Sequence, residues 1–253
     1  MDIFSIPLYY IGFNKSPTLE ENLKKIGFKD IHHFQAIDGR KMKPEKLLKN
    51  EIISIRAYND LVYGRDQHTG ISSLGTIGCT LSHLELWKLC KSSLPYIVIV
   101  EDDLIPSNLS KSDINNIKNA LKEQNGAFIS SNVRTGDELL FGLHFYFLTK
   151  GAATNLVKKA LPIDMQTDHY VGNINNTGDI NAKGYNIGSP KLRKSSTRGN
   201  ICIKCILPRG VLFYLLVCAG IILLICMSIF LYKKFKHTKS ELDSCRSSQL
   251  SND

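Results

Sequence analysis

The sequence predicts an α/β domain followed by one apolar helix, and three observations predict it. Short apolar runs alternate with helix-period segments across residues 6–160, the pattern of a sheet with crossover helices. One run, Ile97-Val98-Ile99-Val100, leads directly into Glu101-Asp102-Asp103, and in such sheets ligands bind beyond the carboxyl ends of the strands. Residues 211–232, "VLFYLLVCAGIILLICMSIFLY", are 22 residues without a charge.

Taken in order, residues 6–13 read as a short strand. "SPTLEENLKKIGF" reads as a helix, started at Ser16 or Thr18 with Pro17 in its first turn and stopped at Gly27. Its Leu19, Leu23 and Ile26 share one face. "IHHFQAIDG" reads as a second strand ending in a turn at Asp38-Gly39. Residues 41–74 are mixed, with a helix at 44–50 and a polar loop at 64–73. A helix over 76–91 carries Leu81, Leu84, Trp87 and Cys90 as one buried stripe, which makes Trp87 a core residue. The strand 96–100 follows Pro95. "SKSDINNIKNALKEQ" is a helix capped by Ser110 or Ser112. "AFISS" and "LHFYFLT" read as strands, and "KGAATNLVKKAL" as a helix with Ala153, Leu156, Val157 and Ala160 on its apolar face. Residues 171–198, rich in Asn, Gly, Lys and Ser, read as loop and linker.

The net charge of +9 is uneven. Residues 188–210 hold six Lys/Arg and no acid, and residues 233–239 hold four Lys. Residues 1–187 carry 21 basic and 20 acidic residues and are almost neutral. The basic excess therefore flanks the apolar segment, which argues against a nucleic-acid partner and for anionic lipid beside a membrane span. At about 1.5 Å per residue the segment reaches roughly 33 Å, enough for a bilayer core of about 30 Å. Tyr214 and Tyr232 stand near its ends, as interface aromatics do. The expected organisation is a folded domain at 1–187, a basic juxtamembrane linker at 188–210, a transmembrane helix at 211–232 and a polar tail at 233–253. The N-terminal "MDIFSIPLYYIGF" lacks a basic n-region, its first Lys being Lys15, and reads as a strand rather than a signal peptide. The expected topology is a C-terminal tail anchor with the main domain cytosolic.

Of seven Cys, Cys79 and Cys90 lie in the folded region, Cys202 and Cys205 form a single CxxC, Cys218 and Cys226 lie in the span, and Cys245 in the tail. This is no disulfide framework, and one CxxC without a second pair is weak evidence for zinc. No G-x-x-x-x-G-K-[ST] motif occurs, which argues against a P-loop kinase or ATPase.

Adjacent carboxylates at a strand end suit a hard divalent cation such as Mg²⁺ or Mn²⁺, which would relieve their repulsion. The alternative is a solvated turn. "FQAIDGR", "GTIGCTLSHLELW", "YIVIVEDDLIP" and "HFYFLTKGAATNLV" with "ALPID" stand in this order. Together they resemble glycosyltransferase family 25, which includes lipopolysaccharide-biosynthesis transferases and collagen galactosyltransferase-like domains. The resemblance runs from about residue 7 to about residue 170.

The resemblance implies a GT-A-like (Rossmann-like) nucleotide-sugar-binding domain and an inverting, metal-dependent transfer. The donor would be a nucleotide sugar, UDP-linked and carrying a hexose such as galactose. The acceptor would be a glycan, a lipid-linked glycan or a protein. By resemblance Glu101, Asp102 and Asp103 bind Mn²⁺ or Mg²⁺ and the donor diphosphate, and Asp38, Gly39, Ser82 and Asp102 lie near the donor. His83 touches donor or acceptor, or is a packing residue. An inverting transfer needs a general base, and Asp164 is the first candidate and Asp168 the second, each of which also reads as a loop or cap residue. "YYIGFNKSPTLEEN" departs from the family, whose members often carry "I-N-L-x-R" and a second Arg there. This chain has Asn14 and Lys15 instead. A non-catalytic binding or adaptor module on the same fold is the competing reading.

Overall fold

The computed structural model describes residues 1–64, 70–104, 108–122, the backbone of 127–130, residues 143–184 and Met227. The chain divides into two units, Met1–Cys202 and Ile203–Asp253. In chain order the first holds β1 (Leu8–Gly12), α1 (Pro17–Ile26), β2 (Ile31–Gln35), α2 (Pro44–Lys49), α3 (Ile55–Tyr63), α4 (Leu74–Ser93), β3 (Tyr96–Glu101), α5 (Lys111–Lys122), β4 (Ala127–Ser130), β5 (Phe145–Thr149), α6 (Lys150–Lys159), α7 (Thr167–Asn176) and β6 (Asn181–Gly184). The six strands form one sheet in the order β2-β1-β3-β5-β4-β6. β1 runs parallel to β2 and β3, and β5 runs antiparallel to both β3 and β4. The architecture is mixed α/β and Rossmann-like.

Local chemistry explains most of the element ends. The Ser16 Oγ accepts the Leu19 N–H, Pro17 occupies the first turn of α1, and Gly27 closes the helix at φ 118°. Before α5, Ser110 and Asp113 cap each other: the Asp113 N–H donates to Ser110 Oγ at 3.0 Å and the Ser110 N–H to Asp113 Oδ2 at 3.2 Å.

Alternation along the central strands builds two apolar layers. Ile97 and Ile99 of β3, with Tyr146 and Leu148 of β5, pack with Leu84 and Trp87 of α4 and Leu156 of α6. Val98, Val100, Phe145 and Phe147 pack on the other face with Leu19 and Leu23 of α1 and Ile117 and Leu121 of α5. A third cluster joins Leu47, Ile53, Ala57 and Ile77 to Ile163.

Three expectations change. Helix α4 is buried well beyond one stripe, with Ile77, Thr80, Ser82, His83, Leu84 and Leu86 inside as well as Trp87 and Cys90, while Leu81 is only half-buried. A helix wedged between a sheet, another helix and a turn has almost no solvent face. The mixed stretch 41–74 contains α3, whose buried side includes Ala57 and Asp60 and so gives little apolar signal. Residues 171–198 are not all loop: α7 buries Val171 and Ile174, and β6 pairs with β4 along its backbone, Ala127 opposite Asn181. An edge strand spelled "NAKG" needs no hydrophobic pattern.

The linker 188–210, the span 211–232 and the tail 233–253 fall outside the described residues, Met227 excepted. Among the described residues no helix is long and apolar enough to cross a membrane.

Candidate functional site

β2, β1 and β3 end along one edge of the sheet, and β1 has its sequence successors on opposite sides, β2 on one and β3 on the other. That arrangement makes a crevice at the carboxyl ends of β1 and β3. Glu101 closes β3, and Asp102 and Asp103 follow in a turn. The Asp102 N–H donates to the Ile11 carbonyl at 3.0 Å. Its carboxylate lies against Gly12, where a Cβ would come within 3.0 Å of Asp102 Oδ2. A side chain at this position of β1 would displace that acid.

Glu101 and Asp103 share a different neighbour. β5 runs antiparallel to β3 with Val100 opposite Phe145, so His144 falls opposite Glu101 and its carbonyl accepts the Glu101 N–H at 2.9 Å. His144 Nδ1 lies 2.6 Å from Glu101 Oε2 and 3.3 Å from Asp103 Oδ1. Asp103 Oδ1 is shielded from solvent and has no aligned hydrogen-bond donor. Asp103 first and Glu101 second stabilise the imidazolium and push the His144 pKa up to about 10. Burial opposes ionisation of Glu101, but hydrogen bonds from His144 and His83 outweigh it and hold the carboxyl below its usual range.

The other oxygen of Glu101 faces α4. Oε1 lies 3.1 Å from His83 Nε2 and 3.8 Å from Cys79 Sγ. Cys79 and His83 are four residues apart, so they share a helix face. His83 Nδ1 is 2.8 Å from the Tyr146 hydroxyl, which accepts the Trp87 indole N–H at 2.9 Å. A neutral His83 protonated on Nε2 satisfies this whole chain: Trp87 donates to Tyr146, Tyr146 to His83, and His83 to Glu101. Burial first, and then the Glu101 charge, push the Cys79 thiol pKa well above its usual value, and Asp168 adds in the same direction.

The expected donor residues divide by role. Ser82 is fully buried, donating to the Gly78 carbonyl at 2.8 Å and accepting the Ile37 N–H at 2.9 Å. Gly39 touches α4 so closely that a Cβ would meet the Leu74 carbonyl oxygen at 1.8 Å. A Cβ on Gly78 would meet the Ile37 carbonyl oxygen at 2.3 Å. Ser82, Gly39 and Gly78 therefore lock the turn after β2 onto α4, and Ser82 and Gly39 spend their contacts inside the protein. The turn they hold carries Asp38, which accepts from Arg40 Nε at 2.7 Å and Arg40 Nη2 at 3.1 Å. The Arg40 hydrogen bond holds the Asp38 carboxyl below its ordinary pKa. The Arg40 guanidinium also lies over Phe13, 4.8 Å from the ring centroid.

The two base candidates are placed differently. Asp164 accepts from the hydroxyl of Ser54, the cap of α3, and pairs with Arg56 at 3.4 Å. It lines a cavity of about 200 Å³ with Thr80, Ile163, Met165, Tyr170 and Asn173. Asp168 opens α7, where its Oδ1 accepts the His169 N–H at 2.9 Å. Its charge is felt at Cys79, which contacts Glu101. The neighbouring Thr167 meets Thr80 of α4 at 2.7 Å.

Glu101, Asp103 and His144 place one donor atom each within 4.8 Å of one another, and Cys79, His83 and Glu101 do the same. Asp102 belongs to neither group. His144 and Cys79 are absent from the sequence-based site. The i, i+4 spacing of Cys79 and His83 was the available signal for Cys79. His144 had none, because its place follows from the register of β5 on β3.

A family profile described as glycosyltransferase family 25 (LPS biosynthesis protein) is similar to residues 16–139. A curated Drosophila melanogaster protein named "Glycosyltransferase 25 family member" is 28% identical over 102 residues, covering 38% of this chain and 16% of that protein. The protein of the same name from Anopheles gambiae is 29% identical over 76 residues, 30% of this chain and 12% of that one. The match thus spans well under a fifth of these relatives.

Proposed function

We propose, from the premise that residues 16–139 belong to glycosyltransferase family 25, that this chain transfers a sugar from a nucleotide sugar to a hydroxyl of a glycan, glycolipid or protein acceptor. The observation that carries the reading is the convergence of Glu101, Asp103 and His144 at the carboxyl end of β3. Two carboxylates and an imidazole fit a divalent cation of the Mn²⁺ or Mg²⁺ type, and the shielded, unaligned Asp103 Oδ1 supplies a ready ligand atom. A bound ion would offset the negative charge that builds on a diphosphate leaving group. Glu101, Asp103 and His144 would hold it, with the proton of the His144 imidazolium released.

The rest of the proposed chemistry belongs to the chain. Asp102, held over Gly12, borders the donor cleft of a GT-A-type fold. Arg40, fixed by Asp38 and Phe13, offers the donor a cation at the mouth of β1 and β2, a stretch where the arginines typical of the family are missing. Asp168 takes the acceptor proton in an inverting displacement. Asp164 is the weaker choice for this role because Ser54 and Arg56 engage its carboxylate. UDP is the donor nucleotide we favour. Attachment to a membrane through residues 211–232 would bring the site near membrane-bound acceptors, with the domain on the cytosolic side.

The test is a thermal shift with UDP, GDP and CMP, each with and without Mn²⁺, since a ligand that binds the native state raises the melting temperature. The expected result is a Mn²⁺-dependent rise with UDP that disappears in Asp103→Ala. With a UDP-hexose and acceptor, Asp168→Asn should keep the rise and lower kcat about 100-fold or more. A second reading, a binding module without transfer, is favoured by the way His144 already balances the charge of Glu101 and His83 hydrogen-bonds its other oxygen, so that the acids persist without an ion. It predicts a flat response to every nucleotide from a folded protein.

A further inference from the structure

The side of Glu101 that faces α4 is not used in the proposed transfer. It has different chemistry from the other side: a thiol, an imidazole and one carboxylate oxygen, in place of two carboxylates and an imidazole. We propose that Cys79 Sγ, His83 Nε2 and Glu101 Oε1 form a tetrahedral Zn²⁺ site with one open position, back to back with the site built from Glu101 Oε2.

Four observations carry this. The three donor atoms lie within 4.8 Å of one another. A tetrahedral zinc ion with typical bond lengths separates a sulfur and an oxygen ligand by about 3.6 Å, and a nitrogen and an oxygen ligand by about 3.4 Å. The corresponding distances here are 3.8 Å and 3.1 Å, each within a few tenths of an ångström of those values. Cys79 and His83 stand at i and i+4 of a buried helix, the spacing that puts two ligands on one side of a zinc ion in helical metal motifs. His83 also has the outer partner that zinc-binding histidines use, because its Nδ1 meets the Tyr146 hydroxyl, itself fixed by Trp87.

Binding is balanced as follows. The Cys79 thiol loses its proton to solvent and the thiolate bonds to zinc. The His83 proton moves from Nε2 to Nδ1, the Tyr146 O–H turns away from Nδ1 so that its oxygen accepts from both Trp87 and His83, and Nε2 bonds to zinc. Glu101 is already ionised and exchanges the His83 hydrogen bond at Oε1 for the metal. A thiolate and an imidazole favour Zn²⁺ over Mg²⁺, which prefers oxygen. Through the shared Glu101, zinc here fixes the carboxylate that the neighbouring site also uses. The proposal does not depend on sugar transfer.

The test uses Co²⁺ as a spectroscopic probe on the 253-residue chain in detergent, with Cys202→Ser and Cys205→Ser to remove the CxxC thiols. The expected result is one thiolate-bound Co²⁺ per chain, with a thiolate-to-cobalt charge-transfer band and the intense visible bands of four-coordinate cobalt. One equivalent of Zn²⁺ should bleach them and excess Mg²⁺ should not. Cys79→Ser should abolish the charge-transfer band. Tyr146→Phe should keep it while weakening Co²⁺ binding about 10–100-fold. The single Trp, Trp87, reports by near-ultraviolet circular dichroism that each variant is folded. Absence of the band from the folded parent protein, or its survival in Cys79→Ser, would overturn the proposal. Nucleotide binding plays no part in this readout, so failure of the transferase reading and failure of the zinc site are separable.

Discussion

At the scale of single residues, one carboxylate organises the site. Glu101 gives one oxygen to His144 and the other to His83 and Cys79, so its charge is answered on both sides. This makes the fold's stability depend on pH in a defined direction. The His144 pKa rises from an ordinary 6.5 to about 10. Its stabilisation is therefore complete below pH 6.5 and is lost as pH climbs towards 10. The Glu101 pKa is depressed from an ordinary 4.5, so its share is present above that pH and is lost as pH falls. The interaction is one ion pair, and it is strongest between these two limits. Thermal melts of the wild type and His144→Gln should differ most near pH 6, and the wild type's lead should shrink steadily by pH 10. A constant difference across that range would show that His144 is not the cation.

At the scale of elements, the contact between the turn at Gly39 and helix α4 carries much of the site's geometry. Gly39 and Gly78 let backbone meet backbone, where a Cβ would come within 1.8 Å of the Leu74 carbonyl oxygen or 2.3 Å of the Ile37 carbonyl oxygen. No flexible side chain can yield there. Gly39→Ala should therefore destabilise the protein by about 3 kcal/mol or more, at the severe end for single substitutions, as read by urea unfolding. The effect is steric: neither glycine has the positive φ seen at Gly27 and Gly64. The family resemblance places Gly39 and Ser82 near the donor. The structure shows their contacts fixing the turn of Asp38 against α4, a role that a residue pattern alone does not reveal.

At the scale of the first unit, the sheet is anchored at its centre. β3 pairs with β1 on one side and β5 on the other, and Ile97, Val98, Ile99 and Val100 are fully buried between two apolar layers. β2 and β6 are edges with a single described neighbour each. Hydrogen exchange should accordingly be slowest in β3 and fastest in β2 and β6, with the site's acids attached to the most protected strand. Equal exchange across the sheet would argue against a site mounted on a rigid centre.

What the sequence by itself determined is whatever local chemistry encodes. Ser16, Pro17 and Gly27 delimit α1, a continuous apolar run marks β3, and the run of acids at its end marks the crevice. It missed α3, α7 and β6, whose buried faces include Asp60, Thr167, His169 or almost no apolar side chain. Only the tertiary structure decided which groups meet. The antiparallel register of β5 delivers His144 to Glu101 from 43 residues away. The packing of α4 under the sheet turns Cys79 and His83 to the same carboxylate, and the backbone at Gly12 receives Asp102, drawing it away from its two neighbours. These contacts are long-range because sheet register and helix packing are set by the whole core at once, and no window of neighbouring residues contains that information.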